Sequence, residues 1–193
     1  MENKKCINLE DIANATCPLE AASRGGVKPS VIFGYHDDVE TWPSYPKATT
    51  ETALGIEAAG KLVGDLVMKS GTRAFKLDFT EYTGAFTITD QGERGSESVL
   101  MQLTLTAGKI RSQILGFMNA TRGRRMFFIV TDNNGKKYLL GDEIVAAYRT
   151  AAEAATTGKA ATDANNVPLN FSFDALMGCT YEGDVESLLQ PAV

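Results

Sequence analysis

His36 is the one histidine in this 193-residue chain, and with Asp37, Asp38 and Glu40 it forms the only place where an imidazole and carboxylates cluster. Those side-chain types could serve acid–base or metal chemistry. Adjacent side chains on an extended segment point to opposite faces, so the cluster reads as a polar strand end rather than a metal cage. The three cysteines, Cys6, Cys17 and Cys179, show no Cys-x-x-Cys spacing and make no zinc-ligand pattern with His36. They read as free thiols of a reducing compartment. Gly158-Lys159 lacks the upstream glycine of a phosphate-binding loop, and neither a dinucleotide fingerprint nor a nucleophile elbow occurs. The expectation is a chain without catalysis, cofactor or bound metal.

Two charged groups remain. Arg122, Arg124 and Arg125 have the charge to contact phosphates, but no aromatic residues interleave with them for base stacking, and they fit the cationic end of a helix. The segment Gln91-Gly92-Glu93-Arg94-Gly95-Ser96-Glu97-Ser98 is either a solvated connection or an arm that inserts into a neighbouring subunit. A balance of 19 basic against 24 acidic residues, net −5, weighs against a protein that grips nucleic acid along its surface. Two lysines near the N-terminus have no apolar stretch behind them, and no run approaches the roughly 18 apolar residues of a membrane helix. Neither a secretory leader nor a membrane span is therefore expected.

The elements that must position these groups are mostly strands. Val31, Phe33 and Tyr35 alternate with smaller or polar neighbours after the Gly25-Gly26-Val27-Lys28-Pro29 punctuation. Phe75, Leu77 and Phe79 alternate again, as do Phe86 and Ile88, then Val99, Met101, Leu103 and Leu105 beyond the charged segment. Ile110, Ile114, Phe117 and Met118 recur at helical spacing and predict a helix over about 108–122, with Thr106 as cap and Gly123 as stop. Met126 to Val130 is a continuous apolar run, read as a strand covered on both faces. Asp132-Asn133-Asn134-Gly135 turns it back onto Tyr138-Leu139-Leu140. Residues 47–70 are ambiguous, and 143–156 favour a helix by alanine content while leaving a strand open. Val167, Leu169, Phe171 and Phe173 form a last strand, whose Pro168 belongs at its start or on an edge. The predicted fold is mainly β (α+β): a β-sandwich or partly open barrel with one flanking amphipathic helix. It spans 30–182 between an N-terminal arm (1–29) and a C-terminal tail (183–193).

The glycine-gated arm, the charged hairpin, the helix, the run Arg125-Met126-Phe127-Phe128-Ile129-Val130 through Leu140-Gly141, and Thr157-Gly158-Lys159-Ala160 follow one another in that order. In this layout the chain resembles tail-tube-like virion structural proteins of tailed phages and prophages, of the type found in gut Bacteroidetes. The resemblance implies a self-assembling protein that forms rings or a tube. Its partners would be copies of itself and other phage tail proteins, with no membrane and no sequence-specific nucleic acid. Its place would be the bacterial host cytoplasm during assembly, then the virion tail. The assembly-interface candidates it implies are Gln91, Gly92, Glu93, Arg94, Gly95, Ser96 and Glu97, with Gly158 and Lys159. The competing reading is a monomeric or dimeric β-sandwich binding module, another virion component among its forms.

Overall fold

The computed structural model describes residues 7, 8, 10–12, 23–48 and 53–191. In chain order its elements are β1 (Ile7–Asn8), β2 (Ser30–Tyr35), β3 (Val39–Thr41), β4 (Leu54–Gly55), α1 (Ile56–Ala59), β5 (Val67–Met68), β6 (Phe75–Asp78) and β7 (Ala85–Gln91). There follow β8 (Ser98–Gly108), α2 (Ser112–Ala120), β9 (Met126–Thr131), β10 (Lys137–Leu140), β11 (Tyr148–Thr150) and β12 (Asn166–Ala175). Two four-stranded antiparallel sheets, ordered β10-β9-β2-β6 and β11-β12-β8-β7, face each other as an open sandwich rather than a closed barrel. The mainly β class and the sandwich are as expected.

The first core lies between the sheets. Val31, Met126, Phe128 and Val130 meet Met101, Leu103, Leu105, Leu169, Phe171 and Phe173, with the Phe128 and Phe171 rings 4.2 Å apart. A second core covers the other face of the first sheet, where Phe127, Ile129, Ile32 and Leu139 pack against Val39, Met68, Tyr181 and Leu188. β9 therefore feeds alternate side chains into two cores, which is why its sequence is apolar without interruption. β8 and β12 serve one core only, and their alternation with Gln102, Thr104, Asn170 and Ser172 marks a sheet whose other face is polar.

Several expectations need correction. The helix is shorter than predicted, because β8 runs on to Gly108 and its ladder pairs Thr106 with Pro168; Thr106 cannot cap, and Arg111 occupies the cap position. At the other end Thr121 closes the helix, its hydroxyl donating to Phe117 O at 2.9 Å. Segment 143–156 contains no helix. The Asp142 carboxylate accepts the N–H groups of Ile144 and Val145, turning the chain at the point of a helix start. Tyr148–Thr150 then pairs with the edge of β12, and tertiary pairing overrides alanine propensity. Pro168 is tolerated because it lies beyond the Asn170–Ser172 stretch that β11 covers. In 47–70, Leu54–Gly55 is strand and Ile56–Ala59 helix, while 49–52 fall outside the described residues. Cys6 and Cys17 also fall outside them; Cys179 is a buried free thiol.

Candidate functional site

β7 is the outermost strand of its sheet and pairs, among the described residues, with β8 alone. The alternation of Phe86 and Ile88 places both on its inward face, opposite Leu103 and Met101. Phe86 does reach the Tyr138 ring across the sandwich, 4.6 Å between centroids, but Ile88 is 45% exposed. The reason is position: an edge strand buries only what the facing sheet extends far enough to cover.

The last ladder pair of the hairpin is Gln91 with Ser98, one pair beyond the point where β12 ends at Ala175 opposite Val99. The charged segment is thus a compact turn on a strand pair. Ser96 N–H donates to Glu93 O at 2.8 Å and closes it. Gly92 has φ +97°, and a Cβ there would strike the Ser96 carbonyl, so this corner requires glycine. Glu93, Arg94, Gly95, Ser96 and Glu97 are all exposed. Gln91 donates through Nε2 to Asp174 Oδ1 at 2.8 Å, which ties the hairpin base to the end of β12. Tyr148 OH donates to the other Asp174 oxygen at 3.3 Å; partial burial, then that carboxylate, holds the phenol above its usual range.

Beside the hairpin base lies an open cleft of about 440 Å³, lined by Asp90, Gln91, Glu97, Leu176 and Met177 among others. Leu176 is 61% exposed. It is nevertheless held in place, because its N–H donates to Tyr45 OH at 3.3 Å while that hydroxyl donates to Asp142 Oδ2 at 3.1 Å. Burial, and then the Asp142 charge, raises the Tyr45 phenol far above its ordinary value, so the bridge stays protonated. Ile88, Leu176 and Met177 form an apolar set that the sequence reading did not single out. Its signal was the break in alternation at Ala175-Leu176-Met177.

Gly158 and Lys159 are not part of this constellation. They sit in the loop closed by the Thr156–Asn166 bridge, where Asp163 Oδ2 accepts Lys159 N–H at 2.8 Å and Ala160 N–H at 2.9 Å. That loop joins the opposite end of ten-residue β12, roughly 30 Å along the strand from the hairpin.

His36 opens a 3₁₀ turn at the end of β2. Its ring is buried against Trp42, 4.6 Å between centroids, and Nε2 lies 2.6 Å from Asp142 O. A contact that short to a carbonyl makes Nε2 the donor. The ring is thereby a structural link between β2 and the 142–145 turn. Arg125 donates to Ile144 O at 3.0 Å, while Arg122 and Arg124 stand exposed between α2 and β9. Among the described residues no three His, Cys, Asp or Glu side chains are grouped to hold a metal ion, and no helix is long and apolar enough to cross a membrane.

Comparison with protein-family models, curated proteins and solved structures returns no match.

Proposed function

We propose that this chain is a tail structural protein of a tailed phage or prophage, tail-tube-like, that assembles with copies of itself into rings or a tube. In this reading it catalyses nothing, its other partners are tail proteins, and it passes from the host cytoplasm into the virion tail. The observation that carries the reading is the edge of β7. Exposed edges are ordinarily blunted by lysine, proline or brevity. β7 is seven residues long, contains neither lysine nor proline, and ends in a hairpin turn flanked by the exposed Ile88, Leu176 and Met177. A long edge whose one charge, Asp90, lies at its hairpin end, beside an apolar set, supports pairing with another chain, because backbone groups supply the contact and side chains the specificity.

The test replaces Gln91–Ser98 with a two-residue Asn-Gly turn and follows both proteins by light scattering on a size-exclusion column. The variant is expected to keep the wild-type far-ultraviolet dichroism and to elute as a monomer where the wild type forms large species. Equal assembly of the two proteins would remove the hairpin from the interface, and a monomeric wild type would overturn the reading.

A further inference from the structure

We infer that the surface which receives the hairpin end is the opposite edge of the same sheet on a second copy of this chain, the turn Ile144–Tyr148 flanked by Arg122 and Arg124. The inference rests on the assembly reading above and names its interface.

The register places the two surfaces at one level of the sheet. Ile88 is opposite Met101, and Met101 is opposite Phe173. On the far edge Tyr148 is opposite Ser172, so Ala147 falls beside Phe173. Ala147 bridges Met126, two residues after Arg124. Because Ala147 N–H and C=O are both bonded to Met126, this stretch of the far edge offers side chains rather than free backbone, and a second copy set beside β7 at the same level brings its Arg124 corner to Ile88 and Asp90.

The chemistry of the two edges is complementary. The β7 end presents Ile88, Leu176 and Met177 with three carboxylates, Asp90, Glu93 and Glu97, against one guanidinium, Arg94. The β11 end presents Ile144, Val145 and Tyr148, with Ile144 83% exposed, beside Arg122 and Arg124. Of its acids Glu143 is exposed, while the half-buried Asp142 carboxylate is taken up by the Ile144 and Val145 N–H groups and the Tyr45 hydroxyl. None of Glu93, Glu97, Arg122 and Arg124 makes an ion pair among the described residues. An edge meeting its own kind would set acid on acid or base on base, so a two-fold contact is disfavoured and a head-to-tail contact favoured. Repeated, that contact closes rings or builds filaments. The Tyr45 bridge contributes by holding Leu176 in place before the contact forms, which lowers the ordering cost of association.

Charge reversal tests this in a form that separates it from the assembly reading. Glu93→Lys/Glu97→Lys and Arg122→Glu/Arg124→Glu change only exposed side chains, and each is to be compared with wild type by sedimentation velocity at low salt. Each variant alone should associate at least about tenfold more weakly than wild type. An equimolar mixture should recover association, because each reversed edge then meets the oppositely reversed edge of the other protein and each native edge meets a native one. Ile144→Ser should weaken association with unchanged thermal unfolding. If either reversed variant assembles as wild type does, or if two folded variants fail to complement, the inference is overturned while assembly stands. If Arg122→Glu/Arg124→Glu loses only binding to a DNA duplex, the arginines serve phosphates and the inference is likewise overturned. A wild type that never associates overturns both.

Discussion

Gly34 tests the packing of β9 between its two cores. It lies in β2 opposite Phe127, and a Cβ at Gly34 would stand 2.6 Å from Phe127 Cε1 and 2.8 Å from Cζ. The ring has little room to withdraw: Phe127 is fully buried and meets Trp42 edge-on at 6.0 Å, and a Cβ at Gly141 would already crowd its own Cβ at 3.2 Å. Two effects of opposite sign compete in Gly34→Ala. The backbone there is not left-handed, so alanine should gain about 0.5–1 kcal/mol by restricting the unfolded chain. Overpacking a filled core costs about 1–3 kcal/mol. The expected net effect is a loss of about 1 kcal/mol, read as a lower urea midpoint at unchanged slope. For a chain of this size that corresponds to a fall of roughly 2–4 °C in Tm. The same substitution made in a Phe127→Leu background, where the ring is gone, should be neutral or stabilising. Stabilisation in the wild-type background, or the same loss in both backgrounds, would refute the account of this contact.

Two further outcomes are expected. Phe117 meets Phe33 edge-on at 5.0 Å and Phe171 at 6.1 Å while remaining partly exposed. Phe117→Ala should therefore cost about 3 kcal/mol in chemical denaturation, the low end for a core phenylalanine, and a loss below about 1 kcal/mol would mean that α2 does not seal the core. Asp163 has its carboxyl held below the usual range by the Ala160 and Lys159 amides. A depressed folded value stabilises the loop above the unfolded pKa, and that contribution disappears as pH falls through the folded one. An NMR titration should place the Asp163 midpoint below about 3.9, with the Lys159 and Ala160 amides shifting at the same pH; a midpoint at or above that value would contradict it.

What was legible in the sequence was whatever local pattern decides. The β9 run, the Asp132–Gly135 turn and the alternations of β8 and β12 each contain their own signal, and the two sheets follow from them. The start of α2 was misplaced because Thr106 is claimed by a ladder with Pro168, 62 positions away in sequence but adjacent in the sheet. Residues 143–156 escaped for a related reason: their alanines favour a helix locally, while Asp142 and the edge of β12 decide otherwise. Burial of Ile88 could not be read at all, since it depends on how far the facing sheet extends. The second core was likewise invisible, being assembled from Val39, Met68 and Leu188 in short segments without periodicity. At the candidate site, the glycines and charges of 91–98 announced a turn, whereas the distance of Gly158 and Lys159 from it follows only from the register of β12. Leu176 showed only as a break in the alternation after Ala175, and Ile144 fell within the segment whose alanines favour a helix. Neither pointed to exposure, because an exposed apolar residue in a loop looks the same in sequence as a buried one.

Self-association of the full chain tests the central claim most directly. Static light scattering across a wide range of protein concentration, with negative-stain microscopy of the heaviest fraction, reads it without any substitution. Mass that rises with concentration and particles of ring or tube shape are the predicted result. A monomer of constant mass at every concentration, with no ordered particles, would contradict the account and favour a β-sandwich binding module whose ligand is then to be sought.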